Sequence, residues 1–485
     1  MTGRMPASVW VGPARVDDRI DTRPYKPWVL ERTDRCSEFV GGSVRLGAPG
    51  VCSQLSRGVG GGKGEADVVA VFKAKEVTGF GFSAPERFLA NCPNDKVLRS
   101  GDVVLTSSGI GTIGRADIFD PSSVSSGTQF TVDNHVTIIR LSTSELLPEF
   151  LVSFLNSDYG KAWSEWGTTG STRLLELSPS KVRQFDIPKV DIRAQRFVAS
   201  RIRLAARCRE GARRLMQQAA TRFDQMLGAS RFVPSTSLSN PVHASVVEGR
   251  IDPSFYLKKY FDLAAHLGAL GVPVRPLRSL LRNDITRSST PERDEAEPVP
   301  CVLTSDIDPH EIRWRNPSLR ITQSVHDRHS GRLAARDVVY TSVGPPVGEA
   351  AVVLPQFLPM AVGGDVSILR HGDDLHPGFL ALYLNSVFGQ MQNDRYSRGI
   401  RQRRVYPEDI GAFLIPVFGA KDQAYVGERI VRHQVLNELA VDLVNEAKAD
   451  VEALIEGSLD VQAINAGTLK APTADDIPEL AEDGA

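Results

Sequence analysis

At 485 residues the chain is too long for one hydrophobic core and has to divide into two or more domains. Its 41% hydrophobic and 24% charged fractions are those of ordinary globular protein, which excludes a largely disordered or fibrous chain. A formal net charge of -1 argues against a protein that coats nucleic acid unaided, since such domains are strongly basic, but it leaves room for local basic patches.

From Met1 to Gly12 there is no apolar run of signal-peptide type. No window approaches the roughly 18 apolar residues of a membrane span, so a cytoplasmic protein that does not engage a membrane is expected. Cys36, Cys52, Cys92, Cys208 and Cys301 are odd in number and far apart, which fits buried or indifferent thiols better than a disulfide framework or a metal knuckle. The glycine-rich run from Arg57 to Gly64 resembles a phosphate loop only superficially. Arg57 stands where the first glycine is needed and Gly64 where a magnesium-binding hydroxyl is needed, so a flexible loop is expected.

Self-similarity organises the rest. Arg19-Ile20-Asp21 with Tyr25 recurs as Arg250-Ile251-Asp252 with Tyr256. Asp102-Val103-Val104, Thr106-Ser107 and Gly114 recur as Asp337-Val338-Val339, Thr341-Ser342 and Gly348. Phe150-Leu151, Leu155-Asn156-Ser157 and Gly160 recur as Phe379-Leu380, Leu384-Asn385-Ser386 and Gly389; Ile187-Pro188 and Ile202 recur as Ile415-Pro416 and Ile430. All offsets fall between about 228 and 235 in unchanged order, so the chain is a tandem duplication. Each copy begins with short β-type runs such as Val136-Thr137-Ile138-Ile139, continues through a helical segment around Leu-Asn-Ser, and closes with a strand ending in Ile-Pro.

A long helix follows each copy. From Asp191 to Leu227, Val198, Ile202, Ala205, Cys208, Ala212, Leu215, Ala219, Phe223 and Met226 recur at steps of three and four, and Gly228 supplies a stop. Nine arginines on it (Arg193, Arg196, Arg201, Arg203, Arg207, Arg209, Arg213, Arg214, Arg222) face only Glu210 and Asp224. The second helix, Lys421 to Glu456, carries Val426, Ile430, Leu436, Leu439, Leu443, Ala447, Val451 and Leu454 on one stripe and is predominantly acidic. Similar length and opposite charge predict that the two pack along their apolar seams, with the flanking charges choosing the partner. A helix of about 36 residues is about 54 Å long at 1.5 Å per residue, far beyond an ordinary globular helix.

The expected fold class is α+β with a pseudo-twofold internal repeat. A first mixed domain covers 1–190, a long helix 191–230, a second mixed domain 231–420, a second helix 421–458, and an acidic, disordered tail 459–485.

No catalytic set emerges. There is no H-E-x-x-H, G-x-S-x-G or phosphate-binding P-loop. Gly344-Pro345-Pro346-Val347 lacks the aromatic residue of a base-flipping loop and reads as a turn. His326 and His329 lack the partners of a metal site and read as surface histidines. The chain is expected to be non-catalytic, with no metal and no cofactor of its own.

What remains is a set of polar and basic loops at matching places in both copies. The first has Thr106 and Ser107, then Thr168, Thr169, Ser171 and Arg173, and then Lys181. The second has Thr341 and Ser342, then Arg395, Arg398, Arg401, Arg403 and Arg404. Hydroxyls and backbone amides bond phosphate oxygens, and arginine bonds guanine bidentately in the major groove, so these residues are the expected DNA contacts.

The whole pattern resembles the specificity (S) subunit of type I restriction-modification systems. The carrying residues are Ser100-Gly101-Asp102-Val103-Val104-Leu105 with Gly111-Thr112-Ile113-Gly114, Phe150-Leu151 with Leu155-Asn156-Ser157, Gly170 to Arg173, Leu177-Ser178, and Phe185-Asp186-Ile187-Pro188, repeated in order in the second copy. The resemblance implies two tandem target-recognition domains that read the halves of a bipartite, asymmetric site on double-stranded DNA, with the two long helices forming an antiparallel coiled coil that spaces the halves. The helix would then be a ruler, its length of about 54 Å setting an upper bound of roughly 16 base pairs on the separation. It further implies docking of modification subunits that methylate adenine with S-adenosylmethionine, and in many systems of translocating restriction subunits, in standard restriction or a related antiviral defence system. The Glu-Gln pair that usually opens each helix is here Ala194-Gln195 and Asp422-Gln423, keeping only the glutamine. Two other classes of function compete with this one: a coiled-coil adaptor that never touches DNA, and a self-contained DNA-modifying enzyme.

Overall fold

The computed structural model describes residues 22–60, 69–121, 128–170, 175–247, 250–292, 298–399 and 401–481. The chain divides into two compact units, Met1–Glu210 with Asn437–Ala485, and Gly211–Leu436.

In the first unit an antiparallel four-stranded sheet runs in the order Cys52–Arg57, Val136–Leu141, Val103–Thr106, Ala116–Ile118. A three-stranded sheet places Val69–Phe72 between Arg87–Leu89, antiparallel, and Gln129–Val132, parallel. Ser43–Arg45 pairs with Asp186–Pro188, the strand that leads into the first long helix. Val103–Thr106 is buried along its whole length because neighbours cover both its faces, which is why its sequence is a continuous apolar run rather than an alternating one. Phe72, Phe82, Phe119 and Phe130 pack ring on ring beneath it.

The second unit repeats both of these sheets in the same strand order and adds a short pair, Ile307–Asp308 with Glu311–Ile312. Its four-stranded sheet runs Thr286–Arg287, Val366–Leu369, Val338–Thr341, Ala350–Val352, and its three-stranded sheet runs Arg320–Ile321, Val299–Val302, Ala361–Val362. Val274–Pro276 pairs with Leu414–Pro416. The duplication read from the sequence is therefore a duplication of fold.

The recurring motif residues turn out to be the joints of each unit. Asn156 receives the Ala116 N–H at 3.0 Å and donates to the Ala116 carbonyl at 2.7 Å; Asn385 does the same to Ala350 at 3.0 and 2.7 Å. Each asparagine thus satisfies the edge strand's backbone from the helix behind it. Ser157 and Ser386 cap the next helix by accepting from Gly160 and Gly389. A Cβ on Gly160 would stand 2.3 Å from the Phe154 carbonyl oxygen, so glycine is required at that turn. Asp102 accepts from Arg140 through both oxygens at 2.8 and 2.6 Å, and Asp337 pairs with Arg370 at 3.4 Å.

The long helices span Ile192–Leu227 and Ala420–Glu456. Asp191 caps the first by accepting from the Arg193 N–H at 2.7 Å, and Gly228, at φ +57, ends it. The anticipated stripe from Val198 to Phe223 is buried along its length, and Met226 is half-buried. Within the second unit the Ala212 carbonyl meets His433, Gln218 meets Arg429 and Arg222 meets Asp422, so positions rise on one helix as they fall on the other: the pair is antiparallel. Within the first unit Arg201 bonds Glu446 at 2.6 Å and Asp450 at 2.5 Å. The arginines do not all serve this seam. Arg203 bonds Glu149 at 2.6 Å, and the half-buried Arg209 lies within electrostatic reach of Asp117.

Two expectations need correction. The tail is ordered over its described part: Asp460 caps a helix over Val461–Ala466, Gly467 at φ +73 closes it, and Ile477 is buried at 8% exposure, an apolar anchor that acidic composition conceals. His329 is not a surface residue, and His326 is half-buried. His329 is buried, accepts from the Gly331 N–H at 2.8 Å and bonds Ser288 at 3.1 Å, 41 residues earlier in the chain, a contact that local sequence does not announce. Among the described residues no cluster of three or more metal-ligating side chains occurs, and no helix is long and apolar enough to cross a membrane. Burial pushes the thiols of Cys36 and Cys301 up to about 12, so they are inert.

Candidate nucleic-acid interface

In the second unit the basic run forms a hairpin. The helix Val387–Tyr396 ends, and Arg398 and Arg404 then exchange two backbone hydrogen bonds of 2.8 Å across the turn. Gly399 sits at φ +94, and a Cβ there would lie 2.4 Å from the Gln402 carbonyl oxygen, so this tight turn demands glycine. Arg403–Arg404 pairs with Val343–Gly344, and the Val405 N–H donates to the Ser342 carbonyl at 2.9 Å. Arg401, Gln402, Arg403 and Arg404 are exposed.

The arginines of this hairpin have different jobs. Arg403 bonds the exposed Asp394 at 2.8 Å and Arg404 bonds Gln402 at 3.1 Å, contacts that water and phosphate readily replace. Arg401 makes no hydrogen bond or ion pair among the described residues. Arg398 is committed to Asp409 at 2.9 and 3.1 Å and lies over Tyr406. Arg395 is half-buried with its guanidinium over Phe255 at 4.4 Å, Phe261 at 5.4 Å and Tyr396 at 5.6 Å; burial holds its pKa below the usual arginine value. Arg250, from the repeated Arg-Ile-Asp element, donates to the Tyr396 carbonyl at 3.1 Å and braces the same foot.

The first unit builds the corresponding place from Thr168–Thr169 paired with Glu176–Leu177, with Glu176 also bridged to Ser108 and the Leu177 N–H donating to the Ser107 carbonyl at 2.8 Å. Ser171 and Arg173 lie outside the described residues. Lys181 is half-buried, its ammonium 4.7 Å from the Trp166 ring. Thr169 donates to the Glu176 carbonyl at 3.3 Å.

Five of the expected contacts cannot serve as such. Thr106, Ser107, Thr168, Thr341 and Ser342 are buried and already bonded: Ser107 to Thr137 at 2.6 Å, Ser342 to Ser367 at 2.5 Å, Thr168 to the Ser164 carbonyl at 2.6 Å, Thr106 to the Thr112 carbonyl, and Thr341 from the Glu349 N–H at 2.9 Å. Their hydroxyls frame the loops from behind, which removes them from the list of phosphate contacts.

Arg57, Arg115 and His135 complete the first site and were not picked out as contacts in the sequence. Arg57 donates to Glu176 at 2.7 Å and to the Leu177 carbonyl at 3.1 Å, Arg115 to the Gly111 carbonyl at 2.6 Å, and His135 Nδ1 bonds Ser108 at 2.6 Å. The one available signal was Arg57 at the head of the glycine-rich run. Each site thus joins a basic edge to a tight, glycine-bearing loop on the same rim of its four-stranded sheet, an arrangement suited to gripping a polyanion.

No protein-family model matches the chain, and no curated protein does. Among solved structures, it is similar to the S subunit of a type I restriction-modification system from M. genitalium at 12% identity, covering 87% of this chain and 97% of that one, with a TM-score of 0.43. It is also similar to a chain from a structure on complex assembly and conformational transition of the type I restriction-modification system, at 18% identity, 86% and 98% coverage and a TM-score of 0.30. The HsdS subunit from Thermoanaerobacter tengcongensis is similar at 18% identity, 86% and 97% coverage and a TM-score of 0.28.

Proposed function

We propose that the chain is the DNA sequence-recognition subunit of a type I-like restriction-modification or defence complex. Each unit reads one half of a bipartite, asymmetric duplex site, the chain docks adenine methyltransferase subunits, and it does no chemistry itself. The observation that carries this function is the recurrence, in two units whose main sheets share one strand order, of a hairpin seated by the same backbone bond on the same strand-end loop: Leu177 to Ser107 in one, Val405 to Ser342 in the other. A duplicated reader fits a two-part target. The helix pair, with Arg201 on Glu446 and Asp450 and with Arg222 on Asp422, matches the spacer that such a subunit requires. A formal charge of -1 is compatible with DNA binding when partner subunits supply further phosphate contacts.

The test is co-expression with an adenine methyltransferase subunit of the type I class from the same genome, followed by duplex binding across a salt series. The expected result is salt-dependent binding with a preference for the sequence that the complex methylates. A complex that assembles but binds no duplex makes the chain an adaptor, and methyl transfer by the isolated chain makes it an enzyme; either overturns the proposal.

A further inference from the structure

Beside each hairpin stands a second loop, rigidly tied and ending in an apolar tip. In the first unit it joins Val103–Thr106 to Ala116–Ile118. Gly109 at φ +108 and Gly111 at φ +77 turn the chain sharply on either side of Ile110, whose side chain is left 69% exposed. The rest of the loop is fastened down: Thr112 donates to the Ser108 carbonyl at 3.1 Å, Arg115 to the Gly111 carbonyl at 2.6 Å, and Ser108 bonds His135 at 2.6 Å.

A single exposed isoleucine is unremarkable by itself. This one recurs in kind. In the second unit the connection from Val338–Thr341 to Ala350–Val352 passes through Gly344, Pro345 and Pro346, and Pro345 is exposed at the matching place. The closing bond is the same in both: Gly114 N–H to Thr106 carbonyl at 2.9 Å, and Gly348 N–H to Thr341 carbonyl at 2.9 Å. Both tips adjoin the hairpin, because Ser108 bridges Glu176, and Gly344 pairs with Arg403. Each unit therefore carries an apolar residue close in sequence to a point where its loop pairs with the hairpin: Ile110 two residues after Ser108, and Pro345 one after Gly344.

We infer that Ile110 and Pro345 are apolar base contacts, pressed against the bases of each half-site while neighbouring cations hold the phosphates. This deepens the proposed function and rests on it. A duplex offers apolar surface in two places, the thymine methyl in the major groove and the base face uncovered when a step is partly opened. A rigid tip carrying a branched or ring side chain fits either, and a solvated polar turn fits neither.

The test uses the assembled complex with its methyltransferase, and duplexes carrying the methylated target or a scrambled sequence. Ile110→Ser is expected to weaken target binding about five- to tenfold, within the range for one lost base contact. It should leave scrambled binding and the salt slope unchanged, since no phosphate contact is removed, and should relax only the half-sequence read by the first unit. Ile110→Val should keep target binding within about twofold, as an apolar side chain persists at the tip. Ile110 is exposed, so melting temperature should not move.

Two arms separate the apolar surfaces. Deoxyuridine in place of target thymine abolishes the difference between wild type and variant if the methyl is the contact, and 2-aminopurine brightening is lost in the variant if a step is opened. A variant that binds target as tightly as wild type, that weakens target and scrambled duplex alike, or that weakens target with neither arm responding overturns the inference while leaving the recognition function standing. A wild-type complex without preference for any sequence overturns both.

Discussion

Arg398 donates to both carboxylate oxygens of Asp409, at 2.9 and 3.1 Å, across the foot of the basic hairpin. Asp409 is only 7% exposed; burial raises its pKa while Arg398 and Arg250 pull it back down. Simple electrostatics says that removing a carboxylate from a DNA-binding surface strengthens binding. The geometry says otherwise for this one, because Asp409→Asn releases Arg398 and loosens the hairpin. Asp409→Asn is expected to weaken duplex binding about tenfold, one charge-assisted bond's worth. Asp394→Asn, which only frees the exposed Arg403, should bind as well as wild type or better. Anisotropy titrations at one salt concentration decide, and tighter binding by Asp409→Asn would make Arg398 a DNA contact rather than a brace.

Much of this architecture was legible in the sequence. Both long helices announced themselves through apolar residues at three- and four-residue steps, and the duplication through motifs that mark buried strands and joints. The site was less legible. Thr106, Ser107, Thr341 and Ser342 have the composition of phosphate-binding turns, yet they are covered by strands such as Val136–Leu141 and Val366–Leu369, whose pairing no local pattern announces. Arg57 reaches Glu176 from 119 residues away. Exposed tips such as Ile110 carry no periodicity at all; only positive-φ glycines on both sides betray them once backbone angles are known.

Gln195 and Gln423, the glutamines retained at the start of each long helix, are 2% and 4% exposed and make three hydrogen bonds each. Gln195 accepts from the Leu147 N–H and donates to the Glu145 and Val190 carbonyls; Gln423 accepts from the His376 N–H and donates to the Asp374 and Phe418 carbonyls. Alanine at either position leaves three buried backbone groups unpaired and should cost on the order of 3 kcal/mol, at about 1 or more for each. Gln423→Glu should be no better, since a carboxylate cannot donate to two carbonyls. Urea unfolding of the full chain measures this, and a loss under about 0.5 kcal/mol, the level of an ordinary surface change, would show that water replaces the side chain.

The Arg201 side chain is 16% exposed and bridges Glu446 and Asp450, whose own pKa burial raises. Arg201→Ala strands a half-buried carboxylate, with an expected loss on the order of 3 kcal/mol. Replacing Arg201 and Asp450 together with leucine should recover most of it, because the half-buried carboxylate goes with its partner and only Glu446, 54% exposed and well solvated, is left unpaired. A double-mutant cycle by denaturant unfolding gives the coupling. Additive losses would mean that the seam is held by its apolar stripe alone.

Asp117 tests the packing of the first unit against the long helix through pH. Burial, its largest influence, raises the carboxyl to about 7, against opposing N–H bonds from Gly79 and Gly81 and the charge of Arg209. An acid that binds its proton more tightly folded than unfolded stabilises the fold fully below its unfolded value near 3.8, and that contribution is lost as pH rises through about 7. Asp117→Asn removes the titration. The stability of wild type relative to the variant should therefore decline from about pH 4 to 7.5 and then level off. Lys448, which burial lowers to about 8, contributes the opposite slope only at higher pH and stays out of this window. Unfolding midpoints at half-unit intervals read the slope directly. A flat difference would mean that Asp117 is ionised throughout, its N–H donors and Arg209 outweighing burial.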